Sequence, residues 1–244
     1  MLRELEDYKW FPKILRRFQG DYIGSLVKWF NIYQPLTPVL QELVKQSNTG
    51  MMQDLCSGSG LPAVYVMQLL QGVDKLILSD KYPLAAFKDT SSVEYLQNST
   101  DVLLLEPQNG ICYTMFNSFH HFTTAEQKHL IDKLISEKCT FLFAEILEPS
   151  FLTGIKIFLT TTLLQLVLMP FVRPFNLLRL CFTYIFPLNI FTITYDGLLS
   201  VIRSKTVTQY QLLPDQIKNS GFEISIFKIN NVKGGLVCIK GRPI

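Results

Sequence analysis

The sequence has little of what would place it in several function classes at once. Its formal net charge is only +3 over 244 residues, too mild for an obligatory nucleic-acid partner, and no basic stripe runs along it. The five cysteines, Cys56, Cys112, Cys139, Cys181 and Cys238, stand far apart with no C-x-x-C pair. Scattered through apolar runs, they exclude a disulfide framework and read as reduced core thiols of a cytoplasmic protein. There are three histidines; only two are neighbours, and no metal site is expected. The start, Met1 to Asp7, carries three acids and no apolar stretch, so no secretory signal is expected. Neither an Asn-Pro-Pro-Tyr block nor a Tyr-x-x-x-Lys pair occurs, which weighs against nucleobase or protein acceptors and against short-chain oxidoreductases. No uncharged run reaches the roughly 20 residues that span a bilayer. What the chain does have is apolar content, 48% with 12% aromatic. That is ample for a large core and points away from disorder.

The most informative stretch is Gln53-Asp54-Leu55-Cys56-Ser57-Gly58-Ser59-Gly60-Leu61-Pro62. A short apolar run ends in an acid, a Gly-x-Gly turn follows, and Ala63 to Leu70 then has helical spacing. Glycine lets backbone approach a ligand closely, and the helix start offers unpaired N–H groups. Asp80 closes a second apolar run, Lys75 to Ser79, where a ribose-binding carboxylate belongs in a nucleotide-binding βαβ unit. Gly58, Gly60 and Ala63 satisfy the dinucleotide pattern, so a nicotinamide cofactor stays open. Asp54 favours S-adenosylmethionine (SAM) instead, because a strand carboxylate repels a pyrophosphate but suits the cationic methionine end of SAM.

In chain order, residues 1–48 form an aromatic-rich helical cap, with Pro35 and Pro38 as punctuation. Residues 49–150 alternate strand and helix, the pattern of a parallel sheet covered on both faces. Strands are expected at Met51–Leu55, Lys75–Ser79, Asp101–Leu105, Ile111–Phe116 and Thr140–Glu145, with a helix or irregular crossover over 84–98. A helix from Thr123 to Ser136 opens on a capping box. Residues 151–205 are an apolar helical insertion. Residues 206–244 supply a last helix and a β-hairpin, Phe222–Ile229 and Leu236–Lys240, joined through Asn230 to Gly235.

A mostly parallel sheet finished by an antiparallel strand resembles the class I SAM-dependent methyltransferases. The resemblance covers residues 50 to 244. Its most specific parts are Asp54 to Gly60, Thr114 to Phe122 and Asp196 to Arg203, the last two similar to a bacterial group of small-molecule or lipid-type enzymes. It implies a Rossmann-like α/β fold, SAM as cofactor, and a cofactor site built from Asp54, Ser57, Gly58, Gly60, Asp80, Lys81, Asp101 and Asn117. Within it Asp54, Gly58 and Gly60 would line the methionine end, Asp80 the ribose and Asp101 the adenine.

The loop after the fourth strand opens at the sheet edge where α/β proteins bind ligands. His120 or His121 there is a candidate general base, and Glu145 ends the next strand on the same edge. Trp10, Tyr195, Asp196 and Arg203 are candidate substrate contacts. Within the insertion, Ile157–Val172 and Leu180–Tyr195 are uncharged runs of sixteen residues each. They are expected to fold as helices over the substrate side, burying Leu163, Leu164, Leu166, Leu168, Phe171, Phe182, Phe186 and Phe191 around an apolar pocket whose other wall is Trp10 to Phe30. The expected function is methyl transfer to a hydrophobic small-molecule or lipid-like acceptor, in a protein that is cytoplasmic or peripheral to the inner face of the membrane. A nicotinamide-dependent oxidoreductase and a membrane-associated binding protein without catalysis remain the alternatives.

Overall fold

Runs of apolar and aromatic residues pair as strands because both of their faces find cover. In the computed structural model, which describes residues 3–84, 90–213, 221–231 and 234–244, five strands run parallel. These are β1 (Met51–Leu55), β2 (Lys75–Ser79), β3 (Val93–Tyr95), β4 (Ile111–Phe116) and β5 (Phe141–Glu145). The antiparallel pair β6 (Phe222–Asn231) and β7 (Gly234–Pro243) completes a seven-stranded sheet of order β3-β2-β1-β4-β5-β7-β6. The last strand thus slots in antiparallel beside β5, as expected. Val232 and Lys233, in the expected hairpin turn, lie outside the described residues, as do Met1 and Leu2.

Every residue of β4 and β5 is buried, the signature of strands covered on both sides. On one face Met52, Leu76 and Leu142 pack with Leu40 and Leu43 of α2 (Thr37–Ser47) and Val66 of α3 (Leu61–Met67). On the other, Met115, Phe141 and Phe143 pack with Leu130, Ile131 and Leu134 of α4 (Thr124–Ser136). Thr123 caps α4 through the expected box with Glu126.

One strand is not where it was expected. Asp101 to Leu105 is not extended: the Asp101 carboxylate accepts the Leu103 N–H at 3.1 Å and starts a short 3-10 turn, Val102–Leu104. Such local capture of a backbone donor competes with strand pairing. The third strand is instead Val93–Tyr95, three residues inside the stretch read as helix or crossover.

Ahead of the sheet, α1 (Lys13–Trp29) lies against α3. The approach is close enough that a Cβ on Gly24 would come within 2.5 Å of the Leu61 Cβ. Ser59 in the glycine turn donates to the Gly20 carbonyl at 3.1 Å. The cap helix is thereby fixed directly over the turn.

The insertion comprises α5 (Phe151–Leu159), a π-helical turn (Thr160–Leu164), α6 (Gln165–Leu168), a 3-10 turn to Phe171, α7 (Leu177–Tyr184) and α8 (Leu188–Arg203). A short α9 (Val207–Gln211) leads back to the sheet. Phe151–Phe171 forms one continuous 21-residue helical run that contains an 18-residue window of mean hydropathy 1.7. It begins six residues before the uncharged run that the sequence marks, so among the described residues one helix is long and apolar enough to cross a membrane. Across the insertion as a whole the polarity is partly inverted, although Met169, Val172 and Ile193 are buried. Thr161, Gln165, Arg179, Thr183, Asn189 and Thr192 are buried, whereas Phe151, Leu152, Leu163, Val167, Phe171, Phe186 and Phe191 are exposed, Phe151 at 87%. The expected burial of Leu163, Leu166, Phe171, Phe186 and Phe191 is therefore not found; Leu164, Leu168 and Phe182 are partly buried against the core. The threonines tolerate the interior because their hydroxyls bond carbonyls one turn back, Thr161 to Ile157 and Thr183 to Arg179 at 2.8 Å.

Candidate active site

The order of strands reverses at β1 and β4, and a cavity of about 1040 Å³ opens beside that switch point. This is at the upper end of the roughly 300–1,000 Å³ usual for ligand sites. Gly58, Asp80, Lys81 and Asp101 line one pole. Tyr22, Leu26 and Val27 of α1 and Ile157, Leu164 and Ile193 of the insertion form an apolar wall, in which Tyr22, Leu26, Leu164 and Ile193 pack together. Asp7, His121, Asp196, Ser200 and Arg203 gather at a polar pole.

At the first pole Gly58 has φ +52, and a Cβ there would meet no heavy atom within 4 Å, so its face is open. Its N–H donates to Asp80 at 2.8 Å, and the Tyr82 N–H donates to the other Asp80 oxygen at 2.7 Å. Two backbone donors aim the carboxylate and leave its outer lone pairs for a ligand. Lys81 pairs with Asp101 at 2.7 Å, and this ion pair holds the Asp101 carboxyl below its ordinary value. Asn117, at φ 53, also lines the cavity, and its side-chain oxygen accepts the Ile146 N–H at 3.2 Å. Ser57 lines it as well.

Asp54 and Gly60 are not on the cavity wall. Asp54 is buried under the turn: its carboxylate accepts from Thr114 at 2.8 Å, and its carbonyl accepts from Ser57 and Ser79, each at 2.9 Å. Burial pushes this carboxyl up to about 7. Its place is beneath the loop, shaping it, rather than against the methionine end of a ligand. Gly60 caps α3 in the left-handed region.

The polar pole is a knot of charge: the helical spacing of Asp196, Ser200 and Arg203 anticipates one side of it at the cavity mouth, but the sequence reading missed the other. Its organiser is the N-terminal segment Glu4-Leu5-Glu6-Asp7, whose three acids in the sequence speak only against a secretory signal. Asp196 on α8 accepts the Leu5 N–H at 2.6 Å and Gln19 Nε2 at 3.1 Å. Arg203, two turns along, pairs with Asp7 at 3.1 Å and donates to the His121 carbonyl. Asp196 and Arg203 thus share the pole but bind the segment rather than each other. The available signal was complementarity: three acids in four residues need cations, and His120, His121 and Arg203 lie in the motifs already singled out.

Of the two histidines, His121 faces the cavity and His120 is buried. His120 Nδ1 lies 2.6 Å from Glu145 Oε2, and the other Glu145 oxygen accepts the Phe119 N–H at 2.7 Å. Glu145 is wholly buried and not on the wall; it holds the loop after β4 and does not reach a substrate. His121 Nδ1 lies 2.9 Å from Asp7. Burial pulls the His121 pKa down, but Glu4, Asp7 and Glu6 outweigh it and raise it to about 10. Held protonated at neutral pH, this imidazole donates and does not serve as a base. Asp7 correspondingly drops to about 2, its burial overcome by His121 and Arg203. Burial raises Asp196 to about 6 and Glu6 to about 8.

Two expected substrate contacts lie elsewhere. Trp10 is 67% exposed and stacks on Tyr8; Tyr195 is 38% exposed and stacks on Phe191. Neither lines the cavity.

No family model and no curated protein sequence matches this chain. Solved structures do. LaPhzM is similar over 91% of this chain and 62% of its own, at 13% identity and a TM-score of 0.50. Human N-acetylserotonin methyltransferase, solved with SAM, is similar over 82% of this chain at 17% identity and a TM-score of 0.45. The mitomycin 7-O-methyltransferase MmcR is similar over 81% at 14% identity and a TM-score of 0.48. The chain spans 50% of the length of each of these last two proteins. These likenesses are likenesses of fold.

Proposed function

We propose that this chain, whose fold is that of the class I SAM-dependent methyltransferases, transfers a methyl group from SAM to a hydrophobic small-molecule or lipid-like acceptor. One observation carries the reading: a single cavity joins the glycine turn and Asp80 to an apolar wall formed by α1 and the insertion. The first pole fits SAM. The face of Gly58 is open, Asp80 is aimed by two N–H groups, and Asp101 lies on the same wall. Ser57, Gly58, Asp80, Lys81, Asp101 and Asn117 would hold it. Bound there, SAM supplies an electrophilic methyl group that an acceptor lone pair takes in line as the carbon–sulfur bond breaks.

The residues of the chain supply position and a place for the proton. Ile23, Phe30, Ile157 and Leu164, apolar lining side chains that keep exposed surface, grip an apolar acceptor body over the packed layer of Tyr22, Leu26 and Ile193. Asp196, with a pKa of about 6, is the cavity carboxylate best matched to accepting a proton near neutral pH. Proton transfer leaves Asp196 neutral, and Asp7 remains to offset His121 and Arg203. Isothermal calorimetry tests the reading. S-adenosylhomocysteine should bind in the micromolar range and NADH should not; the reverse would make the chain an oxidoreductase.

The inverted insertion supports a lipid-like acceptor. A helix with a polar inner face and exposed Phe151, Leu152, Leu163, Val167 and Phe171 is suited to lie in a lipid interface. From there α5 opens onto the cavity through Thr153, Lys156 and Ile157, and the π-helical turn through Thr160. An acceptor dissolved in the lipid would enter without crossing water.

A further inference from the structure

We propose that Glu4, His120 and His121 form a binding site for one divalent transition-metal ion, of the zinc, cobalt(II) or iron(II) kind. The proposal rests on the geometry of the polar pole and is independent of the cofactor reading. The three side chains each turn one ligand atom inward, and those atoms all lie within 4.8 Å of one another. His120 Nε2 stands 3.6 Å from Glu4 Oε1, and His121 Nε2 stands 3.4 Å from Glu4 Oε2. Bonds of about 2.0–2.1 Å to a metal set neighbouring ligand atoms about 3.0–3.4 Å apart, so the histidines, each now beside a different Glu4 oxygen, need to draw in around one of them. Oε2 also accepts from Ser200 at 2.9 Å, which leaves Oε1 as the free ligand atom.

Two further observations point to a ligand. His120 and Glu4 are each 1% exposed, yet His120 Nε2 and Glu4 Oε1 make no hydrogen bond. A buried acceptor and a buried ring nitrogen facing each other without a bond are costly unless something sits between them. The other face of each imidazole is already engaged by a carboxylate, His120 Nδ1 by Glu145 at 2.6 Å and His121 Nδ1 by Asp7 at 2.9 Å. A carboxylate at Nδ1 fixes the tautomer that leaves Nε2 as a lone-pair donor, the usual support for a metal-bound histidine. Two imidazoles and one carboxylate suit borderline divalent ions better than magnesium or calcium.

Charge agrees. Glu4, Glu6, Asp7, Glu145 and Asp196 crowd this pole; Arg203 Nη1 lies 3.6 Å from Glu4 Oε1 and 3.1 Å from Asp7, and Arg16 donates to the Glu6 carbonyl. An ion bound here takes the place of the protons on the two Nε2 atoms, so the dication and Arg203 together offset the crowded carboxylates. His121 is also on the cavity wall, so an ion at this site would have an open position toward the cavity, and a hydroxyl or carboxylate there could complete its coordination.

The full-length chain, stripped with chelator and dialysed, should bind one equivalent of Co²⁺ and develop the visible absorption of a nitrogen- and oxygen-ligated ion. Zn²⁺ should bleach it. Glu4→Gln and His121→Asn should each weaken binding about a hundredfold, whereas His129→Asn, on α4, should leave it unchanged. Thermal unfolding of each metal-free variant establishes that it is folded, and Co²⁺ should raise the midpoint of the parent and of His129→Asn but not of Glu4→Gln or His121→Asn. A folded parent that takes up well under one equivalent, or a folded Glu4→Gln variant that binds as tightly as the parent, overturns the site.

Discussion

Asp80 and Asp54 are both strand-end acids, and the sequence offered both to the cofactor, yet only Asp80 reaches the cavity. If SAM binds at the Gly58 pole, Asp80→Ala removes charged hydrogen bonds to the ribose and should weaken S-adenosylhomocysteine by about 1.5–3 kcal/mol in calorimetry. Unchanged affinity would place the cofactor elsewhere. Asp54 should act on stability instead. Its pKa in the folded chain is about 7 against an ordinary value of 3.8, so between those values the folded chain holds a proton that the unfolded chain has released. This stabilisation is fully present below about pH 4 and is lost as pH rises through 7. Asp54→Asn keeps an acceptor for Thr114 without the titration. Urea unfolding from pH 4 to 8 should therefore favour the variant progressively, by on the order of 2–4 kcal/mol across the range. A difference that stays flat with pH would refute this account. Asp196→Asn, with the base removed, should lose turnover about a hundredfold or more while still binding S-adenosylhomocysteine. Full activity in that variant would leave positioning as the whole mechanism.

At the scale of elements, α1 and the insertion are held together by a buried ion pair. Arg179 on α7 pairs with Asp21 on α1 at 2.9 Å and donates to the Val172 and Pro174 carbonyls at 2.6 and 2.7 Å. Burial raises the Asp21 pKa and lowers that of Arg179, so both groups depend on each other. Arg179→Ala strands the Asp21 carboxylate and the acceptors around it in the interior, and should cost about 3–5 kcal/mol in denaturant unfolding. A loss below about 1 kcal/mol would mean that the two elements dock without it. The 3-10 turn at Val102–Leu104 makes the complementary point. Its apolar run reads as strand, and a single carboxylate, Asp101, decides otherwise by capturing a backbone donor.

For the whole molecule, the exposed outer face of the insertion predicts association with lipid surfaces. The chain should float with phosphatidylcholine vesicles, and a Phe151→Ser, Leu163→Ser, Phe171→Ser variant should lose at least tenfold in partitioning, since each such side chain contributes about 1.5–3 kcal/mol when buried. Recovery in the soluble fraction after alkaline carbonate marks peripheral attachment, and retention in the pellet would mark Phe151–Phe171 as a true span. Vesicles that leave the chain unbound would remove the lipid surface from the proposal.

The strands β1, β2, β4 and β5, the capped helix α4 and the antiparallel finish were legible in the sequence, because each rests on local pattern: apolar runs of strand length, a Thr-x-x-Glu box, a glycine turn. Asp80 and Gly58 were legible for the same reason, as residues at fixed offsets from strand ends, whereas Asp101 came only from the family resemblance. Only the tertiary structure decided the rest. It buried Asp54 and Glu145 away from the cavity, turned Trp10 and Tyr195 outward, and brought Glu4, His120, His121, Asp196 and Arg203 to one pole from distant stretches of chain. Which side of an apolar helix faces protein was likewise beyond local reading: buried threonines bond their own helix carbonyls, so the insertion can turn its polar side inward and leave phenylalanine and leucine outside. Burial and long-range pairing depend on what packs against a residue, and no spacing along the chain encodes its partner.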